Sequence, residues 1–125
     1  MLNEHKVRLA NGDTSYVFWG RGRGPKDKGE WKFANEVGCK THALLDRFTG
    51  KHGFYSSFAT RKLLRRLDEI GPDVVHLHNI HGYYVNIPML FGWLAEHDCK
   101  VEWTLHDCWA FTGHCAYFTY VKCDK

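Results

Sequence analysis

Residues 73–107 read DVVHLHNIHGYYVNIPMLFGWLAEHDCKVEWTLHD. Asp73 to His78 (DVVHLH) is a short run rich in β-branched and apolar residues, the pattern of a buried strand. Asn86 stands where a helix needs an N-cap, and Pro88 falls in the first turn, where its missing N–H costs nothing. Ile87, Leu90, Phe91 and Leu94 recur at helical spacing and line one face. Lys100 to Leu105 (KVEWTL) is the next strand. Strand, helix and strand in this order make a βαβ unit, whose crossover requires parallel pairing. The expected class is α/β, a Rossmann-like parallel sheet with flanking helices.

Upstream, Ser56 or Ser57 is positioned to cap a helix whose apolar positions Leu63, Leu64, Leu67 and Ile70 keep helical spacing. Arg61, Lys62, Arg65 and Arg66 take its other face, a solvated one, and Gly71-Pro72 ends it. Residues 32–55 are poorly periodic and read as loop with a short helix at most. Thr14 to Trp19 (TSYVFW) reads as a strand, and residues 2–10 as a weakly amphipathic helix ended by Asn11-Gly12-Asp13. Gly20, Gly22 and Gly24 after that strand do not match G-x-G-x-x-G, so the segment is a turn in which Arg21 and Arg23 offer phosphate partners.

The chain has 125 residues, enough for one core and one domain. Its formal charge of +3 is too small for a nucleic-acid footprint, so no nucleic-acid partner is expected. A hydrophobic fraction of 44% excludes global disorder. No apolar run approaches the roughly 18 residues that span a bilayer, and the first twenty lack a signal-peptide core. These features lead us to expect a soluble, cytoplasmic protein. Five cysteines, an odd number, argue against a closed disulfide framework.

In an open parallel sheet, ligands bind outside the carboxyl ends of the strands. The first strand of the βαβ unit delivers His76, His78, Asn79, His81 and Gly82 toward that edge, and the second delivers His106 and Asp107. Such a group suits a polar substrate, a sugar or a phosphate. His76 and His78 lie inside the strand and read as satisfied interior residues; His81 and His106, at strand ends, read as functional. His76-x-His78-x-x-His81 approaches the dinuclear zinc signature H-x-H-x-D-H, but Ile80 stands where that hydrolase motif needs its aspartate. Cys108, Cys115 and Cys123, with His106 and His114 among them, offer soft metal ligands without the C-x2-C spacing of structural zinc sites. Buried thiols are the plainer reading, since a cysteine site would need further cysteines that the chain lacks. Trp103, Trp109, Phe111, Tyr117, Phe118 and Tyr120 serve equally for stacking on sugars or for filling a core.

The strings DVVHLHNIHGYYVN (Asp73 to Asn86) and WTLHDCWAFTGHCAYF (Trp103 to Phe118), followed by Cys123-Asp124-Lys125, resemble the acceptor-side domain of bacterial family 4 glycosyltransferases of the GT-B fold. YVFWGRG (Tyr16 to Gly22) is similar to the second strand and loop of that domain. The resemblance implies retaining transfer of a sugar from a nucleotide-sugar to a polysaccharide or lipid-linked acceptor. The active site would lie in the cleft between two Rossmann-like halves. His106 would face the transferred sugar or the acceptor, with Asp107 orienting it. Asn79, His81 and Gly82 would line the acceptor side, with Arg21 nearby. No cofactor or catalytic metal is implied, because helix dipoles and basic side chains can neutralise the leaving diphosphate.

Against the family pattern, residues 1–125 look like one incomplete N-terminal domain. The opening strand with its glycine-rich loop, and the donor-binding half with its E-x7-E motif, are missing. The chain alone is then expected to be inactive, and to fold marginally or self-associate through an open sheet edge. Peripheral contact with the inner membrane face is compatible with this reading. The alternative is a non-catalytic module that binds a glycan, a protein or a metal.

Overall fold

A computed structural model describes residues 2–22, 29–51 and 54–112. Along the chain run α1 (Leu2–Ala10), β1 (Val17–Trp19), β2 (Glu30–Lys32), α2 (Glu36–Thr49), α3 (Ser57–Ile70), β3 (Val74–His78), α4 (Ile87–Glu96), β4 (Lys100–Thr104) and α5 (Trp109–Thr112). The βαβ unit is present: β3 and β4 pair in parallel, with Val74 opposite Lys100 and His78 opposite Thr104. Asn86 caps α4 by accepting from the Met89 N–H at 3.1 Å, and Pro88 sits in the first turn. Gly71 ends α3 at φ 58°, a left-handed position, with its N–H on the Leu67 carbonyl.

The core lies where α3 and α4 cover β3. Leu63 and Leu67 of α3, Leu77 of β3, and Leu90, Trp93 and Leu94 of α4 are all below 9% exposed, and Trp109 of α5 closes the cluster. Burial of each such side chain contributes about 1.5–3 kcal/mol.

The α/β class holds, but the expected single sheet does not form among the described residues. β1 and β2 make one two-stranded parallel sheet, and β3 and β4 another. A cleft of about 690 Å³ lies between them, lined by Glu4 and Arg8 of α1, Val17 and Phe18 of β1, and Val75 and Leu77 of β3. β1 and β3 both line this space, and among the described residues neither pairs with a strand other than its sheet partner.

Three expectations about local structure change. The strand foreseen over Thr14–Trp19 pairs only over Val17–Trp19. The segment 32–55, read as loop with a short helix at most, holds the 14-residue α2, and β2 just ahead of it has no counterpart in the sequence reading. The signals for α2 were present: Asn35 accepts from the Gly38 N–H at 2.7 Å, and Gly50 closes the helix at φ 66°. Its buried positions, however, are Cys39, His42 and Asp46, while Val37, Leu44 and Phe48 face outward. An inverted pattern of this kind defeats hydrophobic periodicity. Finally, neither serine caps α3 through its side chain. Ser56 takes the N-cap position at φ 64°, but its hydroxyl goes to His42 Nδ1 at 2.7 Å instead.

Candidate functional site

The parallel register explains how residues far apart in sequence meet. With His78 opposite Thr104, the next residues of both strands leave the sheet at one edge, and His106 lands beside His78. The two rings touch, His78 Nδ1 to His106 Nε2, at 3.0 Å. Two-residue alternation also places His76 on the same side as His78, with ring centroids 4.2 Å apart. His76 Nε2 reaches Thr104 Oγ1 at 2.7 Å.

One step further along, His81 Nε2 lies 3.1 Å from Asp107 Oδ2. The other carboxylate oxygen of Asp107 accepts from the Trp109 N–H at 3.0 Å, tying it to the start of α5. The His81 ring stacks on Trp109 with a centroid distance of 5.1 Å and a 23° tilt. The carboxylate accepts from Nε2–H of His81 and so fixes which ring nitrogen carries the proton. Asn79 and His106 are exposed, whereas His78, His81 and Asp107 are half-buried.

The loop that carries these groups is held by Tyr84. Its hydroxyl donates to the Asn79 carbonyl. A Cβ at either Gly20 or Gly82 would collide with its ring, so both glycines exist to admit it. Burial pushes the Tyr84 phenol up to about 12, which keeps it a donor throughout the ordinary pH range. Asn79 adopts φ 40° and Tyr83 φ 60°. Asparagine tolerates that region; a tyrosine there is a local strain held in place by its surroundings.

Burial, then the neighbouring His76 and His106 rings, hold the His78 imidazole below the ordinary histidine value, so it stays neutral. Burial alone would raise Glu4 of α1, but hydrogen bonds from Arg8 and His76 outweigh it and lower the carboxyl.

The structure thus brings Asn79, His81, His106 and Asp107 to one edge, together with His78, which the sequence suggested was merely interior. Asp107 pairs with His81 and with α5 rather than orienting His106; His78 takes that position. The reason is the open N–H at the start of α5, which draws the Asp107 side chain toward it. Gly82 faces the Tyr84 ring, and Arg21 is exposed beyond β1, outside the small space beside His106. That space holds about 10 Å³, room for one water at most. His81 is turned to Asp107, so the His76–His78–His81 trio of the zinc-hydrolase motif does not assemble. Cys108 is a half-buried free thiol, while Arg23, His114, Cys115, Tyr117, Phe118, Tyr120 and Cys123 lie outside the described residues. Alternation along β3 and the β3–β4 register, once known, are the signals that would have exposed the role of His78.

The chain is 26% identical, over 93% of its length, to a protein of Escherichia coli (strain K12) named "Putative colanic acid biosynthesis glycosyl transferase WcaC". It spans 31% of that protein. No protein-family model matches the chain, and no solved structure matches it significantly. No helix among the described residues is long and apolar enough to cross a membrane. The similarity therefore connects this chain with glycosyltransferases.

Proposed function

We propose that this chain is the acceptor-side part of a GT-B, family 4 glycosyltransferase of exopolysaccharide biosynthesis. It would act with a second domain that binds the nucleotide-sugar, and retain configuration at the transferred sugar without a metal or organic cofactor. The acceptor is a polysaccharide or a lipid-linked glycan, met in the cytoplasm or at the inner face of the membrane. The observation that carries the reading is the similarity to a named glycosyltransferase over 93% of the chain.

The geometry then suggests roles. A neutral His78 donates from Nδ1–H to His106 Nε2, leaving Nδ1–H of the exposed His106 as a fixed donor toward a sugar hydroxyl or a phosphate oxygen. Asp107 holds His81 against Trp109, offering an aromatic and imidazole face beside Asn79 for the acceptor. Preorganised donors of this kind contribute most where negative charge develops on the departing diphosphate.

The test begins with the reading frame on both sides of these 125 codons. A continuation into a second α/β domain, followed by sugar transfer from a nucleotide-sugar, supports the proposal. In that protein His106→Ala is expected to lower kcat by about 10²-fold, the usual cost of one aligned donor. An unchanged kcat would remove His106 from the site, and the lack of any transfer activity would sink the glycosyltransferase reading.

A further inference from the structure

A second cluster lies inward from the edge that holds His106, where α1 approaches β3 across the cleft. Glu4, His76 and His78 each offer one ligand atom, all within 4.8 Å of one another. All three are half-buried, and all three line the 690 Å³ cleft. His76 Nδ1 already lies 3.3 Å from Glu4 Oε1.

The hydrogen bonds around the cluster orient it. His76 uses Nε2 on Thr104 Oγ1, so Nδ1 is the nitrogen turned to Glu4; it donates its proton to the carboxylate when the site is empty, and a bound ion would replace that proton. His78 uses Nδ1 on His106, which leaves Nε2 to ligate. Partners of this kind, behind the ligating nitrogen, are what fix ring orientation and tautomer in metal sites. We propose that Glu4, His76 and His78 hold one divalent late-transition metal ion, zinc by preference, with its fourth position open to the cleft.

The dimensions bear on this. For three atoms at most 4.8 Å apart there is a point no more than about 2.8 Å from every one of them, against bond lengths of about 2.0–2.2 Å for zinc with nitrogen and oxygen. The gap to close is at most about 0.7 Å, within reach of small rotations of the Glu4 side chain, which is 37% exposed. Two imidazoles and one carboxylate select zinc, nickel or copper over magnesium and calcium, which take oxygen ligands. Arg8 competes: its guanidinium sits 3.3 Å from the same Glu4 oxygen. The site uses neither Asp107 nor His81, and its detection does not depend on sugar transfer.

Cobalt(II) titration of the whole chain tests the assignment, because cobalt reports its ligands spectroscopically. One equivalent should bind with visible d–d bands of a nitrogen and oxygen site, without a thiolate charge-transfer band, and zinc should displace it. His76→Ala and Glu4→Gln should each weaken binding by at least about 10-fold, and His106→Ala by about 10-fold through lost orientation of His78. Arg8→Gln should tighten it, and Cys108→Ser should leave it unchanged. Glu4→Gln alters a helix surface, so it remains informative if His76→Ala fails to fold. No stoichiometric binding, binding unaffected by Glu4→Gln, or a spectrum carried by thiolate charge transfer would overturn the proposal.

Discussion

His78 shows how one side chain couples burial, neighbours and pH. Its imidazole is held below the ordinary histidine value by burial first and then by His76 and His106. In the unfolded chain it titrates near the usual value of about 6.5. Above that pH both states are neutral and the native state keeps its full stability. As pH falls below about 6.5, the unfolded chain takes up a proton that native His78 resists, so stability is lost until pH passes below the depressed native value. Urea denaturation at pH 7.5 and at pH 5.5 should show this loss, and His78→Gln should shrink the difference. An equal pH dependence in the variant would mean that other groups carry it. The same residue illustrates the reach of sequence reading. DVVHLH identifies a strand, but whether His78 is filler or partner depends on what stands two places past its opposite number on β4.

The helices differ in how they are held. α3 and α4 meet through a buried polar tie at their amino ends. Thr60, fully buried, donates from Oγ1 to the Ser56 carbonyl at 2.9 Å and accepts from the Asn86 N–H at 2.7 Å. The Asn86 side chain in turn reaches Phe54 and Ser57 while capping α4. Thr60→Val keeps the shape and strands the Asn86 N–H, so a loss of about 1–3 kcal/mol is expected on chemical denaturation. Thr41→Val on α2 removes a similar bond to Val37, but an exposed one, and should cost under about 0.5 kcal/mol. Equal losses in both variants would contradict the buried tie. α1 is fastened differently, through His5 to Ser15 at 2.8 Å and Glu4 to His76 rather than through an apolar face. That weak amphipathicity was visible in LNEHKVRLA; its docking partner was not.

For the molecule as a whole, the two small sheets matter most. Parallel sheets are ordinarily buried on both faces, yet β4 is exposed at four of its five residues, and β1 and β3 turn open edges to the cleft. At about 3.3 Å rise, 4.8 Å strand spacing and 10 Å layer spacing, one strand residue fills about 160 Å³. The cleft thus has the volume of about four such residues. The hydrogen bonds from Val17 N–H to Gly29 and from Lys100 N–H to Asp73 fix which backbone groups point away from it. By alternation, the amides of Phe18, Val74 and His76 point into it. Hydrogen exchange should be fast at these three and slow at Val17, Val75 and Leu77. Uniform protection along β3 would show that its open edge is covered in solution.

Local chemistry in the chain determined the helices of 57–70 and 87–96, the strands of the βαβ unit, and the edge at which Asn79, His81, His106 and Asp107 emerge. These follow from signals spanning a few residues: a cap, a glycine stop, a period of 3.6 or of 2. α2 escaped because two of its three buried positions, His42 and Asp46, are polar while Val37, Leu44 and Phe48 face outward, so the local signal pointed the wrong way. The pairings of His78 with His106, of His81 with Asp107, and of Glu4 with His76 depend on strand register and helix docking across 28, 26 and 72 positions. So does the split into two sheets. No local pattern carries that information, because those contacts exist only once the core of Leu63, Leu67, Leu77 and Leu90 has set the elements against one another.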